Sequence, residues 1–88
     1  MNWRKVERVV KGFANHRRLE ILELLKKSPE LSVDEIASSL KINMKTASEH
    51  TRRLAQAGLV LKRYEASFVR HKVTSRGLSI LKFLRMLE

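Results

Sequence analysis

Lys45, Ser48, Glu49, Arg52 and Gln56 recur within NMKTASEHTRRLAQAGLV, Asn43 to Val60, at the spacings that a helix brings together. A period of about 3.6 residues gathers them on one side, where each can donate or accept a hydrogen bond. The opposite side holds Ala47, Thr51 and Leu54 and little else, a thin apolar stripe. Packing alone needs no such polar set, so the chemistry of this stretch is recognition of a polar partner. Other reactive groups are isolated. His16, His50 and His71 lie far apart with no ligand spacing, and the chain has no cysteine, so no metal and no cofactor are expected. These histidines are expected to pack or to touch phosphate. Ser48 lies near His50, but positions i and i+2 point to different sides of a helix and no orienting acid is evident, so the chain does not read as an enzyme.

The recognition stretch needs elements to hold it. Val6, Val9, Val10 and Phe13 recur at helical spacing after Trp3, which predicts a first helix over about 2–13 with Gly12 weakening its end. Asn15 can cap a second, about 16–27, with Leu19, Leu22 and Leu25 inward, Ile21 and Leu24 widening that face, and Pro29 stopping it. SVDE, Ser32 to Glu35, is a capping box for a short helix over about 33–40 whose buried side is Val33, Ile36, Ala37 and Leu40. Lys41 to Asn43 then makes a three-residue turn into the polar helix, which Asn43 caps and Gly58 closes. Beyond Gly58 the period becomes alternating, with LVLKRY, a polar turn at Glu65 to Ser67, and FVRHKV, which predicts a β-hairpin. Thr74 caps a last helix over about 75–87, apolar on more than one side.

Composition bounds the function. The 88 residues carry 19 Lys and Arg against 9 Asp and Glu, a formal net charge of +10, with enough apolar residues to fold. A chain of this length should make a single domain that buries roughly 60–65% of its unfolded surface, without room for a deep substrate cavity. The charge is uneven: +5 over residues 1–27, zero over 28–58, +4 over 59–77 and +1 over 78–88. Two basic blocks flank a neutral centre, and a folded domain this basic suggests a polyanionic partner. The opening MNWRKVERVVKGF is too charged for a signal peptide and the longest apolar run is Leu59 to Leu61, so a soluble cytoplasmic chain with no membrane partner is expected.

Two short helices joined by a three-residue turn, then a hairpin, then a capped helix, give the order of a winged helix-turn-helix, an α+β fold that is mostly α. The chain resembles the ArsR-type winged-helix transcriptional regulators, with MarR-type proteins as near neighbours. ANHRRLEILELL resembles the family's opening, with its Arg-Leu-x-Ile-Leu run at Arg18 to Leu22, and LSVDEIASSL looks like the first helix of the pair. NMKTASEHTRRLAQAGLV is similar to the recognition helix and its exit at Thr46, Ser48, His50, Leu54 and Ala57 to Val60, and VTSRG, Val73 to Gly77, resembles the junction from wing to helix. The sequence also departs from the family. Ser32-Val33-Asp34 stands where many ArsR-type sensors have Cys-Val-Cys, and the last helix has no His, so inherited metal sensing is not expected. Thr51 stands where the family usually has a buried leucine.

This reading assigns sequence-specific binding of double-stranded DNA, as a transcriptional regulator and more particularly a repressor. Lys45, Thr46, Ser48, Glu49, Arg52 and Arg53 lie on or beside the helix in the major groove, while Lys62, Arg63, Arg70 and Lys72 of the hairpin reach phosphates. Glu49 can accept from cytosine N4 or pair with Arg52 or Arg53 on its own helix. A homodimer is expected through Trp3, Val6, Val10 and Phe13 of the first helix and Ile80, Phe83, Leu84 and Leu87 of the last, a surplus of apolar positions that the family resemblance also implies for pairing. The competing class is a winged-helix module for protein or RNA interaction within a larger assembly.

Overall fold

The computed structural model describes residues 1–88. In chain order it contains α1 (Trp3–Phe13), α2 (His16–Lys27), α3 (Val33–Leu40), α4 (Met44–Gln56), β1 (Val60–Glu65), β2 (Phe68–Val73), α5 (Ser75–Leu84) and a closing 3₁₀ turn (Arg85–Leu87). The expected last helix, 75–87, is thus an α-helix to Leu84 that tightens into 3₁₀ geometry over its final turn.

Each helix begins where a side chain can satisfy its free amides. Asn2, Asn15, Ser32, Asn43 and Thr74 all accept from the first turn, and the Ser32–Glu35 capping box forms with both reciprocal bonds, at 3.2 and 2.9 Å. The helix pair is joined by Lys41 in the left-handed region at φ 55°, which lets the Ile42 amide return to the Ala37 carbonyl at 3.0 Å. Gly58, at φ 78°, ends α4 in a Schellman motif: its amide donates to Ala55 and that of Leu59 to Leu54, both at 3.0 Å.

The core is a cluster of Phe13, Ile21, Leu22, Leu25, Ile36, Ala37, Ala47, Leu54, Ala57, Leu59, Val60 and Leu81. All five helices and β1 contribute to it. On α2 the inward residues are Ile21, Leu22 and Leu25; Leu19 and Leu24, like Leu40 of α3, are half-buried along its edge. Phe13, expected on a dimer surface, is mostly buried in this cluster, and only its edge lines the groove between α1 and α5. Gly12 is the penultimate residue of α1, at its end as expected, and its missing side chain does more than weaken the helix. A Cβ there would come within 2.5 Å of the Cβ of Ala57, so the glycine allows α1 to press against the end of α4.

The hairpin pairs in antiparallel register from Val60↔Val73 to Glu65↔Phe68 around Ala66 and Ser67. Its base is wider than two strands. The His71 amide donates to Leu31 O at 2.9 Å and the Glu30 amide to His71 O at 3.0 Å, so the segment after α2 forms a third rung.

Candidate nucleic-acid interface

Helix α4 sits on the core by Ala47, Thr51 and Leu54, and Lys45, Thr46, Ser48, Glu49, Arg52, Arg53 and Gln56 are all exposed. Thr51 is tolerated in the core because its hydroxyl donates to Ser48 O at 2.9 Å, one turn back on its own helix. Asn43 fixes the start of α4 by accepting from the Lys45 and Thr46 amides at 2.7 and 3.3 Å. The outer face is therefore presented on a capped, rigidly seated helix.

Glu49 organises that face. Its carboxylate takes both the Nε and Nη2 of Arg52, at 3.1 and 2.6 Å, and the Nε of Arg53 at 3.3 Å. These bonds, from Arg52 first and Arg53 second, hold the carboxyl below the usual carboxylate range. In the free protein both arginines thus rest on one acid, and a new partner must compete with it.

The alternation of the hairpin separates its four basic residues. Arg63, Arg70 and Lys72 share the outer face, with Arg63 directly opposite Arg70. Lys62 points the other way, toward α4, and lines with Ser48, Thr51, Tyr64, Phe68 and His71 a cleft of about 320 Å³. So the structure brings Lys62 to the recognition helix and leaves the other three apart from it. Two like charges facing each other across strands repel, and acids offset this. Arg63 is held by Glu30 at 2.5 Å and Glu65 at 2.7 Å, while Arg70 lies 3.6 Å from Glu65, donates to Glu30 O at 3.2 Å and covers the Phe68 ring at 5.8 Å. Arg63 holds both Glu30 and Glu65 below the ordinary carboxylate range. Lys72 is exposed.

Sequence reasoning missed two supports of this surface. Glu30 was only part of a connecting segment, and nothing in its local pattern signals a contact 33 residues away. Arg18 was noted only within a family run, yet its Nε donates to His50 Nδ1 at 3.1 Å and its Nη1 to the Lys11 and Gly12 carbonyls at 3.1 and 3.3 Å. It ties the middle of α4 to the end of α1. Burial, then the neighbouring Arg18 cation, lower the His50 pKa, and accepting from Arg18 requires a neutral ring. His71 is buried and donates from Nδ1 to Leu31 O at 2.9 Å; burial lowers its pKa as well. No group of three or more His, Asp and Glu side chains converges as a metal site would require, and no helix is long and apolar enough to cross a membrane.

A helix pair with its second member capped, seated on the core and polar outside, followed by a basic hairpin folded back beside it, defines the winged helix-turn-helix class. The chain belongs to the family described as bacterial regulatory protein, arsR family, which it matches over residues 15–62. It is similar to the HTH-type transcriptional regulator Rv0324 of Mycobacterium tuberculosis, 36% identical over 77 residues that make up 88% of this chain and 34% of that protein. It is also similar to the transcriptional activator HlyU of Vibrio cholerae, 40% identical over 67 residues, 76% of this chain and 61% of the other. The chain therefore spans about a third and about three-fifths of these two relatives. Among solved structures it resembles the homodimeric winged helix-turn-helix DNA-binding domain Mb0332 from Mycobacterium bovis, with a TM-score of 0.82 and 34% identity, covering 97% of this chain and 78% of that one. Reduced HlyU from Vibrio cholerae gives 0.80 and 34%, covering 98% and 90%. A MarR protein from Peptoclostridium difficile shares the fold at a TM-score of 0.72 and 18% identity, over 78% of this chain and 47% of that one. The family and these relatives are regulators, not enzymes.

Proposed function

We propose that this protein binds double-stranded DNA sequence-specifically as a homodimeric transcriptional regulator, with α4 in the major groove and the wing against the backbone. The observation that carries it is the outer face of α4: a row of exposed hydrogen-bonding side chains on a helix capped by Asn43 and anchored by three buried residues. Ser48 and Arg52 are the base readers, Lys45 and Thr46 flank them at the helix start, and Arg53 serves the backbone. Glu49 positions Arg52 until a guanine edge replaces it. Lys62 reaches phosphate between α4 and the wing, and Arg70, Lys72 and, once freed from its acids, Arg63 do so along the wing.

Support for pairing comes from exposed apolar residues on the terminal elements: Trp3, Val10, Phe83 and Leu87. Val6, Val10, Phe13, Ile80 and Phe83 line one groove between α1 and α5, whereas Leu84 packs along the core edge and faces a different groove, toward α2. The Mycobacterium bovis domain is homodimeric, which favours the same arrangement here. Occupying an operator is enough for repression, and that is the mode we assign. Because HlyU carries the name of an activator, the sign is checked with a reporter downstream of the bound site, where lowered transcription is expected.

The test of the α4 assignment is Arg52→Ala on a panel of single-base variants of a bound duplex. Discrimination should fall by about 1–3 kcal/mol at one base position and hold elsewhere. An equal loss on every sequence would make Arg52 a backbone contact, and no loss on any would take this face out of the groove.

A further inference from the structure

The DNA reading uses α4 and the wing and leaves the N-terminal basic block without a role. Lys5, Arg8 and Lys11 of α1 converge with Arg53 of α4 and Arg76 of α5 on one open cleft of about 460 Å³. That volume lies within the range of small-ligand sites, roughly 300–1,000 Å³. No carboxylate lines it; the remaining walls are Val9, Gly12, Gln56 and Ala57. The docking of α1 on α4 at Gly12 and Ala57 is what forms the cleft.

A purely structural account covers part of this cluster. Arg53 and Arg76 stand at the C-terminal end of α4, where cations offset the helix dipole, and Arg76 Nη1 donates to Ala57 O at 2.9 Å. Lys11 closes α1 in the same way and lies 3.6 Å from Glu7. Arg53 shares Glu49 with Arg52. Lys5 stands in the first turn of α1, where a cation gains nothing from the helix dipole, and Arg8 in its middle; neither side chain makes an ion pair or satisfies a helix end, yet both line the same space. Placing them beside three further cations opposes folding by self-repulsion, and an anion in the cleft would reverse that. Arg76, already fixed by its carbonyl bond, keeps other donors of its planar fork free for oxygen ligands.

We propose that this cleft binds a multiply charged phosphate group, which either the DNA backbone beyond the end of α4 or a free polyphosphate anion would supply. The first source rests on the groove reading of α4; the second does not. With phosphate bound, Lys5 and Arg8 contribute charge, Arg76 contributes a preset fork, and Gln56 offers an amide donor.

The test has two arms on the whole chain. Tripolyphosphate is titrated at low salt while backbone amide resonances are followed, for wild type, Arg8→Glu, Lys5→Glu and the control Lys27→Glu, an exposed cation outside the cleft. Saturable shifts confined to residues 5–12, 53–57 and 76 are expected, with affinity lowered about tenfold or more by either cleft variant and little by the control. In the second arm the salt dependence of duplex binding is compared for wild type and Arg8→Ala. A slope lower by about one unit in the variant assigns the phosphate to the DNA backbone. An unchanged slope with intact tripolyphosphate binding assigns it to a free anion. Diffuse shifts, Arg8→Glu no more harmful than Lys27→Glu, and an unchanged slope would together overturn the site. If wild type bound no duplex at all, the regulator reading would fall and the tripolyphosphate arm would still decide the cleft.

Discussion

At the scale of single residues, the surface of α4 and the wing is governed by three acids. Glu49 occupies Arg52 and Arg53, while Glu30 and Glu65 occupy Arg63. These are exposed pairs, weak as contributors to stability, so they can exchange for phosphate at small cost. Glu30→Gln combined with Glu65→Gln should release Arg63, raise duplex affinity at low salt and steepen the salt dependence by about one unit, measured by fluorescence anisotropy across a salt series. An unchanged slope would show that Arg63 never reaches the backbone. Two histidines set the response to acid. His50 and His71 both have folded pKa values below the ordinary value of about 6.5, so the unfolded chain binds more protons below that pH. Their stabilisation is complete above about pH 6.5 and is lost as pH falls through their lowered values. The depressed carboxylates Glu30, Glu35, Glu49 and Glu65 act in a lower window, below about pH 4.3. Thermal unfolding followed from pH 7.5 to 5 should show a falling midpoint in wild type and a flatter profile in His71→Gln, whose amide can still donate to Leu31 O. An equally steep fall in that variant would exclude His71 as a source.

At the scale of elements, the parts legible in the sequence are those set by local chemistry. Asn43 and Gly58 bracket α4, Ser32 and Glu35 open α3, and alternation after Gly58 marks the wing, because caps and periodicity act within a few residues of themselves. The thin stripe of Ala47, Thr51 and Leu54 was legible for the same reason. Contacts between distant segments were not. The Leu31–His71 rung, the Arg18–His50 link and the Glu30–Arg63 pair each join residues more than 30 positions apart, and no periodicity encodes them. Gly12 is the sharpest case. Helix propensity alone says that Gly12→Ala should stabilise α1 by about 1 kcal/mol. The 2.5 Å approach to the Ala57 Cβ says the opposite, because neither methyl can move without its backbone. We expect a loss of about 1–3 kcal/mol by denaturant unfolding. A gain in stability would mean that α1 and α4 separate more easily than their packing implies.

At the scale of the whole molecule, one α4 face can read only one short half-site, and two copies are needed to span successive major grooves. The groove between α1 and α5 is the surface we propose for pairing. Phe83 is 55% exposed on its rim and is better placed to test pairing than the half-buried Leu84. A two-fold dimer makes the preferred site an inverted repeat, since each protomer presents the same face in opposite directions. Selection of bound duplexes from a random library, with wild type and Phe83→Glu in parallel, tests this most directly. Wild type should enrich an inverted repeat with half-site centres about 10 base pairs apart, or a multiple of the helical turn, and Phe83→Glu should enrich a single half-site with weaker retention. A library that emerges without any enriched sequence, from a wild-type protein that is folded, would contradict the assignment of α4 as a base-reading helix.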